Sequence, residues 1–352
     1  DGVTVSPPRD HAVDALRILA VLLLVPFHVS LGFAHEGFHV TNPERSLVFD
    51  RFCRFVYAWH MPLLLFLAGM SALYALRKRS PRQFVTERVR RILVPLLFGI
   101  LVIVPPQTWL ERVQDGDFDG GLLAFWPTLF TTGVYPAGNL TWNHLWFLAY
   151  LFVIAVGTLP LLRRMHARVP LPSLDRFADA RGVLLLAPLA LFASQCLLRP
   201  IWMHDTQNLY WDWANFAQDT LFFLAGAAVA ASPRLAGAID RYGPAAFLLG
   251  LLTMTLHQLF PVLFPDGPPA WAFPPLPFVV TAGVRFFNTW FWVVAVMAGG
   301  RAVFRSRAEW IDRTAPLAYP FYVWHQTVIV VLLYLAVPLR LGPWPKWTLV
   351  LV

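Results

Sequence analysis

Apolar runs long enough to cross a bilayer recur along this chain, and short arginine-rich segments separate many of them. A helix needs about 20 apolar residues to cross the roughly 30 Å hydrocarbon core. Runs near 12–33, 52–75, 92–108, 142–162, 182–200, 214–231, 243–262, 278–299 and 316–338 are read as spans, and a tenth begins near 346. The expected fold is therefore all-α: a polytopic transmembrane helical bundle of about ten spans, the tenth truncated at Val352. Only 14% of residues are charged, against about 25% in soluble domains, and mean hydropathy is +0.57. Length alone allows two domains. No polar linker divides the chain, so 1–352 is read as a single integral membrane domain.

The distribution of charge excludes the nucleic-acid reading that a pI of 9.9 invites. With spans alternating in direction, 20 of the 28 basic residues and 9 of the 20 acids fall on one side, giving +11 there against −3 opposite. The basic side includes Arg9, the Arg77–Arg91 group and Arg307. The positive-inside rule makes it cytoplasmic and puts the N-terminus there. The first run is too long for a secretory signal, lacks a small-residue cleavage site and carries Arg17 and His28. Cys53 and Cys196 form no metal pattern and are read as buried thiols, a bridge between them being the alternative. The outer loops are longer; that at 263–277 is a proline cluster and is expected to be stiff.

Within the first span Arg17 and His28 lie eleven residues apart. Eleven residues are about three helical turns and about 16 Å, so both face the same way, His28 near mid-depth when Arg17 marks the boundary. An ionisable group at that depth is a functional candidate. His60, His144 and His325 also fall in or at the ends of spans, His325 at a depth like that of His28. Each alone can be a structural hydrogen-bond partner; four in one bundle point to a polar cavity, and imidazole is a general base suited to neutral pH. Pro26, Pro62 and Pro320 lie close to three of these histidines and would kink their helices.

Arg88 and Arg91 are one α-helical turn apart where the second basic loop enters the third span, and are expected to share a face. Paired guanidinium groups suit a phosphorylated ligand, and plain positive-inside anchoring explains them too. On the outer side Trp211-Asp212-Trp213, with Asn215, Gln218 and Asp219 following, offers the flat apolar faces and polar partners that a sugar requires. Interfacial anchoring is the plainer reading of these tryptophans. Arg285 and Asn288 could line the same space, and Arg54 is a further candidate. His35, Glu36 and His39 have metal-ligand residue types but are read as a solvated loop, and no metal is expected.

Together these elements resemble the acyltransferase-3 family of integral membrane enzymes over nearly the whole chain. The matching elements are Arg17 with His28 ten residues beyond, Arg88-x-x-Arg91, the Trp59-His60-Met61-Pro62 segment running to Phe66 and Gly69, Asn143-His144-Leu145-Trp146-Phe147-Leu148, and Tyr319-Pro320 through His325-Gln326. Pro26-Phe27-His28-Val29-Ser30 and the His144 string resemble most the branch that includes the periplasmic-glucan succinyltransferase. The resemblance implies a bacterial inner-membrane enzyme that moves an acetyl- or succinyl-type group from cytoplasmic acyl-CoA to a hydroxyl of an extracytoplasmic or lipid-linked carbohydrate.

On that reading Arg17, Arg88 and Arg91 would hold the donor phosphates, and His28 would be the general base, reachable from both sides of the membrane by a continuous passage. His325 would orient His28 or stabilise the oxyanion, and the acceptor would pass His60, His144, Trp211, Trp213, Arg285 and Arg54. A transporter of sugar conjugates or organic anions would equally need a polar cavity but accounts less well for the arginine pair. An assembly subunit without turnover leaves His28 and His325 unexplained.

Overall fold

The first apolar run forms α1, His11–Leu31, with Asp14 in its first turn favouring the positive end of the helix dipole. The computed structural model describes residues 11–202, 206–263, 276–305 and 309–352. Arg9, Arg307 and nearly all of the expected proline-rich loop at 263–277 lie outside them. The second span is broken: α2 covers Leu47–Tyr57 and α3 His60–Leu76. Its interruption falls at Ala58–Trp59, so Pro62 sits in the first turn of α3, where its missing N–H breaks no helical bond.

Beyond a capping box of Ser80 and Gln83, α4 runs over Pro81–Asp115. It contains two wide π turns, Val89–Leu93 and Gly99–Ile103, each followed closely by a proline, Pro95 and Pro105. A proline cannot donate to the carbonyl four residues back. For Pro105 that carbonyl is Leu101, and the Trp126 indole N–H bonds it instead at 2.8 Å.

The following helices are α5 (Asn143–Gly157), bent by 56° from α6 (Leu159–His166), then α7 (Gly182–Leu198), α8 (Trp213–Ala231), α9 (Pro233–Leu263), α10 (Leu276–Val303), α11 (Glu309–Ala336) and α12 (Pro343–Leu351). Among the described residues the only extended pairing is an isolated bridge between Val134 and Leu140. Among the described residues six helices are long and apolar enough to cross a membrane: α1, the α2–α3 unit, α4, α9, α10 and α11; the bent α5–α6 pair would make seven. The chain is thus a helical membrane protein. Its apolar segments near 182–200 and 214–231 are helical, but do not pass the same test of length and apolarity.

The bundle centre is built where α3 meets α8, α1 meets α11, and α9 meets α10. Gly69 on α3 and Gly226 on α8 allow backbone-to-backbone contact: a Cβ on Gly69 would lie 1.8 Å from the Phe223 carbonyl oxygen, and one on Gly226 1.9 Å from that of Phe66. Such small-residue contacts drive helix association where lipid replaces water. Lys346 on α12, at the expected start of the tenth span, is buried and donates to the Asn42 side chain and the Val337 carbonyl. Cys53 and Cys196 are both free thiols, the first buried and the second half-buried.

Candidate functional site

Four separate elements bring the span histidines together. His28 lies two residues after Pro26 on α1, and His60 opens α3 just after the helix break. His144 sits in the 3-10 turn Asn143–Leu145 that begins α5, and His325 is on α11. The His325 ring centroid is 5.1 Å from that of His28 and 5.2 Å from that of His144. Phe38, in the loop after α1, stacks on His28 at 5.6 Å.

Backbone carbonyls set the tautomers, since a ring nitrogen facing a carbonyl must carry the proton. His60 Nε2 donates to Ala20 O at 2.6 Å, His144 Nε2 to Val323 O at 3.0 Å, and His325 Nδ1 to Tyr322 O at 2.6 Å. The other nitrogen of each ring is then an acceptor. That of His144 faces the Gln107 amide at 3.4 Å. His325 Nε2 and His28 Nδ1 are buried and have no hydrogen-bond partner among the described residues.

His28, His60 and His144 line one cavity of about 390 Å³, together with Tyr57, Trp142, Trp146 and Gln326. A smaller chamber of about 40 Å³ adjoins it and is lined by Asn215, Gln218, Asp219 and Arg285. Both share Tyr57, Met61, Trp146 and Gln207. Within the smaller chamber the buried Gln218 Oε1 has no hydrogen-bond partner among the described residues. A third cavity, of about 1010 Å³, lies at the N-terminal end of α1 and is lined by Arg17, Arg77, Lys78, Arg79, Arg301 and Arg305. Arg17 there bonds Asp14 at 3.1 Å and the Ser71 hydroxyl at 2.6 Å.

Several expectations are corrected. Arg17 and His28 line different cavities, which share no lining residue among those described. Ala20, Val21 and Leu24, which lie between them on α1, are buried, and no continuous passage joins the two cavities among the described residues. The π turn that follows Arg88 widens the spiral, so Arg88 and Arg91 stand farther apart around the helix than an α-helical turn would set them, while staying within electrostatic reach of each other and of Arg17. Arg88 lies over the Phe84 ring at 4.7 Å, with its Nε buried and unpartnered, whereas the Arg91 side chain is 76% exposed and paired with Glu87. Neither lines the three cavities.

Trp211 and Trp213 are exposed and also line none of them. The residue between them explains why. Asp212 is fully buried and caps α8 while holding Arg199, Asn215 and the Thr206 and Gln207 amides, so its neighbours turn outward. Arg54, half-buried on α2, is likewise outside the cavity linings. His35 and His39 diverge, the first to Asp50 and the second to Glu111. No group of three or more metal-ligand side chains is assembled among the described residues.

The site also contains residues the sequence reading passed over. Gln107 is fully buried on α4. Its amide donates to Thr327 Oγ1 at 2.6 Å, and its oxygen accepts from Asn143 at 3.1 Å and from Gln326 at 3.0 Å. The Tyr322 hydroxyl donates to His144 O at 2.5 Å. An amide inside an apolar stretch was the available signal, since lipid leaves such a group no partner. At the outer mouth, burial and then the adjacent Glu111 carboxylate, which takes its hydrogen bond, push the Tyr135 phenol up to about 12.

A family model described as an acyltransferase domain matches residues 10–352. Glucans biosynthesis protein C of Salmonella schwarzengrund (strain CVM19633) is 27% identical over 195 residues, covering 53% of this chain and 49% of the relative. The protein of the same name from Escherichia coli (strain SMS-3-5 / SECEC) is 28% identical over 166 residues, covering 46% and 41% respectively. The chain thus spans about half the length of the curated relatives it matches. No solved structure matches it.

Proposed function

We propose that this chain, which belongs to the acyltransferase-3 family of integral membrane enzymes, moves an acetyl- or succinyl-type group from acyl-CoA to a hydroxyl of an extracytoplasmic or lipid-linked carbohydrate. The observation that carries this reading is His28: a half-buried imidazole within an apolar helix that opens into a polar cavity beside a second imidazole. The relatives' name, glucans biosynthesis protein C, supports a carbohydrate acceptor.

In this reaction His28 takes the proton of the acceptor hydroxyl while its oxygen attacks the thioester carbonyl carbon. A C–O bond forms, the C–S bond breaks, and the proton passes to the departing thiolate. His325 donates through Nδ1, so its Nε2 is an acceptor. It is therefore suited to hold the Nδ1–H of His28, leaving His28 Nε2 as the base; as a neutral acceptor it is poorly suited to stabilise an oxyanion.

The donor enters from the cytoplasmic side in this reading. Arg17 offers charge inside the large basic cavity for the phosphates; Arg88 and Arg91 lie outside that lining and would act only after rearrangement. For the thioester to reach His28, the packing beside Ala20, Val21 and Leu24 has to open. The acceptor enters the outer cavity past His60 and His144, with Arg285 in the adjoining chamber. The charge asymmetry supports an inner-membrane protein of ten crossings with a cytoplasmic N-terminus, counting α7, α8 and α12 among them.

His28→Ala tests the reading. Transfer should fall by about 10²–10⁴-fold, the range for a positioned acid–base group, with the protein still monodisperse in detergent. Undiminished turnover removes His28 as the base. Vesicles that accumulate unmodified solute without any acyl transfer would instead favour a transporter.

A further inference from the structure

The loop after α1 is held onto α4 by two sets of contacts. Thr41 N donates to Gln114 Oε1 at 2.8 Å, and Gln114 Nε2 donates back to Thr41 O at 3.2 Å. Beside this clip, His39 Nδ1 meets the buried Glu111 carboxylate. The two residues are 72 apart in sequence, and their side chains are only 10% and 11% exposed. Glu111 also accepts from the Tyr135 hydroxyl. Next to it Arg112 lies over the Tyr135 ring at 5.7 Å and anchors the adjoining turn through Pro136 O, Gly138 O and Asn139. His39 is thus gripped through one ring edge by a braced carboxylate.

His39 also lines the cavity that holds His28. His39 packs against Phe38 at 5.0 Å, and Phe38 stacks on His28. With Nδ1–H donated to Glu111, Nε2 of the neutral ring is a lone-pair acceptor, and nothing bonds to it among the described residues. Tyr135, Trp142 and Trp146 line the same cavity and offer flat faces at its outer part. An oriented acceptor beside aromatic faces is the chemistry that recognises a sugar hydroxyl and its ring. Trp211 and Trp213 supply neither to this cavity.

We propose that His39, braced by Glu111 and flanked by Tyr135, orients the acceptor: its Nε2 takes a hydrogen bond from a hydroxyl of the carbohydrate as it enters the His28 cavity. The inference rests on the acyltransferase reading above and assigns the acceptor subsite within it. His39 does not exchange a proton with the thioester; it holds a neighbouring hydroxyl so that the reacting one reaches His28.

The test uses the purified protein in nanodiscs, with acetyl- and succinyl-CoA as donors and a glucose oligosaccharide as acceptor. His39→Ala should raise the acceptor KM at least tenfold and keep the donor KM within twofold. His39→Gln, whose amide oxygen can accept the same bond, should recover part of that loss. Glu111→Gln still accepts from Nδ1 but braces it less, so the acceptor KM should rise by a smaller factor. An unchanged acceptor KM in folded His39→Ala, or a lower kcat and thermal midpoint with KM unchanged, overturns the proposal. Should His39→Ala fail to fold, Glu111→Gln decides on the same criterion. If the wild-type protein transfers to no carbohydrate, the acyltransferase reading fails; if it transfers and His39→Ala keeps the wild-type acceptor KM, only this assignment fails.

Discussion

Gly69→Ala tests the packing that carries His60 into the cavity. The new Cβ would lie 1.8 Å from the Phe223 carbonyl oxygen, where real contacts are essentially never under 3.0 Å, so α3 and α8 must part by about 1.2 Å or more. The obstacle is backbone, and no side-chain rotation relieves it. The reciprocal approach, Gly226 to Phe66, sits beside it and would open too. We expect a loss of about 3 kcal/mol or more, at or above the top of the usual overpacking range. Because α3 begins at His60, and a displacement of about 1 Å at a reacting group can cost about 10²-fold in rate, transfer should fall by a similar factor. Thermal unfolding in detergent, followed by tryptophan fluorescence, reads the first effect, and initial rates read the second. Gly237→Ala is the control. Gly237 is an exposed helical residue whose added Cβ meets nothing within 4 Å, so alanine should be neutral or stabilising by up to about 1 kcal/mol. A Gly69→Ala protein with the wild-type midpoint and rate would refute the argument.

Two further outcomes follow from the site's surroundings. Asp212→Ala removes the carboxylate that faces the buried Arg199 guanidinium and removes the α8 cap, so it should cost about 3–5 kcal/mol while leaving the acceptor KM unchanged in whatever protein still folds; a higher acceptor KM at wild-type stability would restore a sugar-binding role for the Trp211–Trp213 segment. The Tyr135 phenol is held up to about 12, above its ordinary value near 10, so the folded state keeps a proton that the unfolded chain loses. Its contribution is complete below pH 10 and is lost as pH rises through 12. Tyr135→Phe should therefore shrink the fall in thermal midpoint between pH 10 and 12, and an identical slope would argue against that origin.

Much of the membrane architecture was legible because burial in lipid acts on local composition. A run such as 278–299 has to be helical wherever it sits, since hydrocarbon offers its backbone no other partners. The number of crossings was less legible, because α7 and α8 combine apolar stretches with shorter length or polar ends. The histidines were legible for a related reason: four imidazoles in apolar helices need one another's company or a cavity, and His28, His144 and His325 do meet.

The local geometry of the arginine pair and of the tryptophan segment differs from expectation because each reading assumed that neighbours in sequence keep a regular relation in space. A single π turn changed the spacing of Arg88 and Arg91 around the helix, and one buried carboxylate, Asp212, sits between two exposed indoles. The His39–Glu111 contact spans 72 residues and leaves no periodic trace. Lipid imposes the helices and the depth of polar groups residue by residue, so the chain alone carries that information. Which groups touch depends on how helices from distant parts of the chain cross and where their turns widen, and those are properties of the packed bundle.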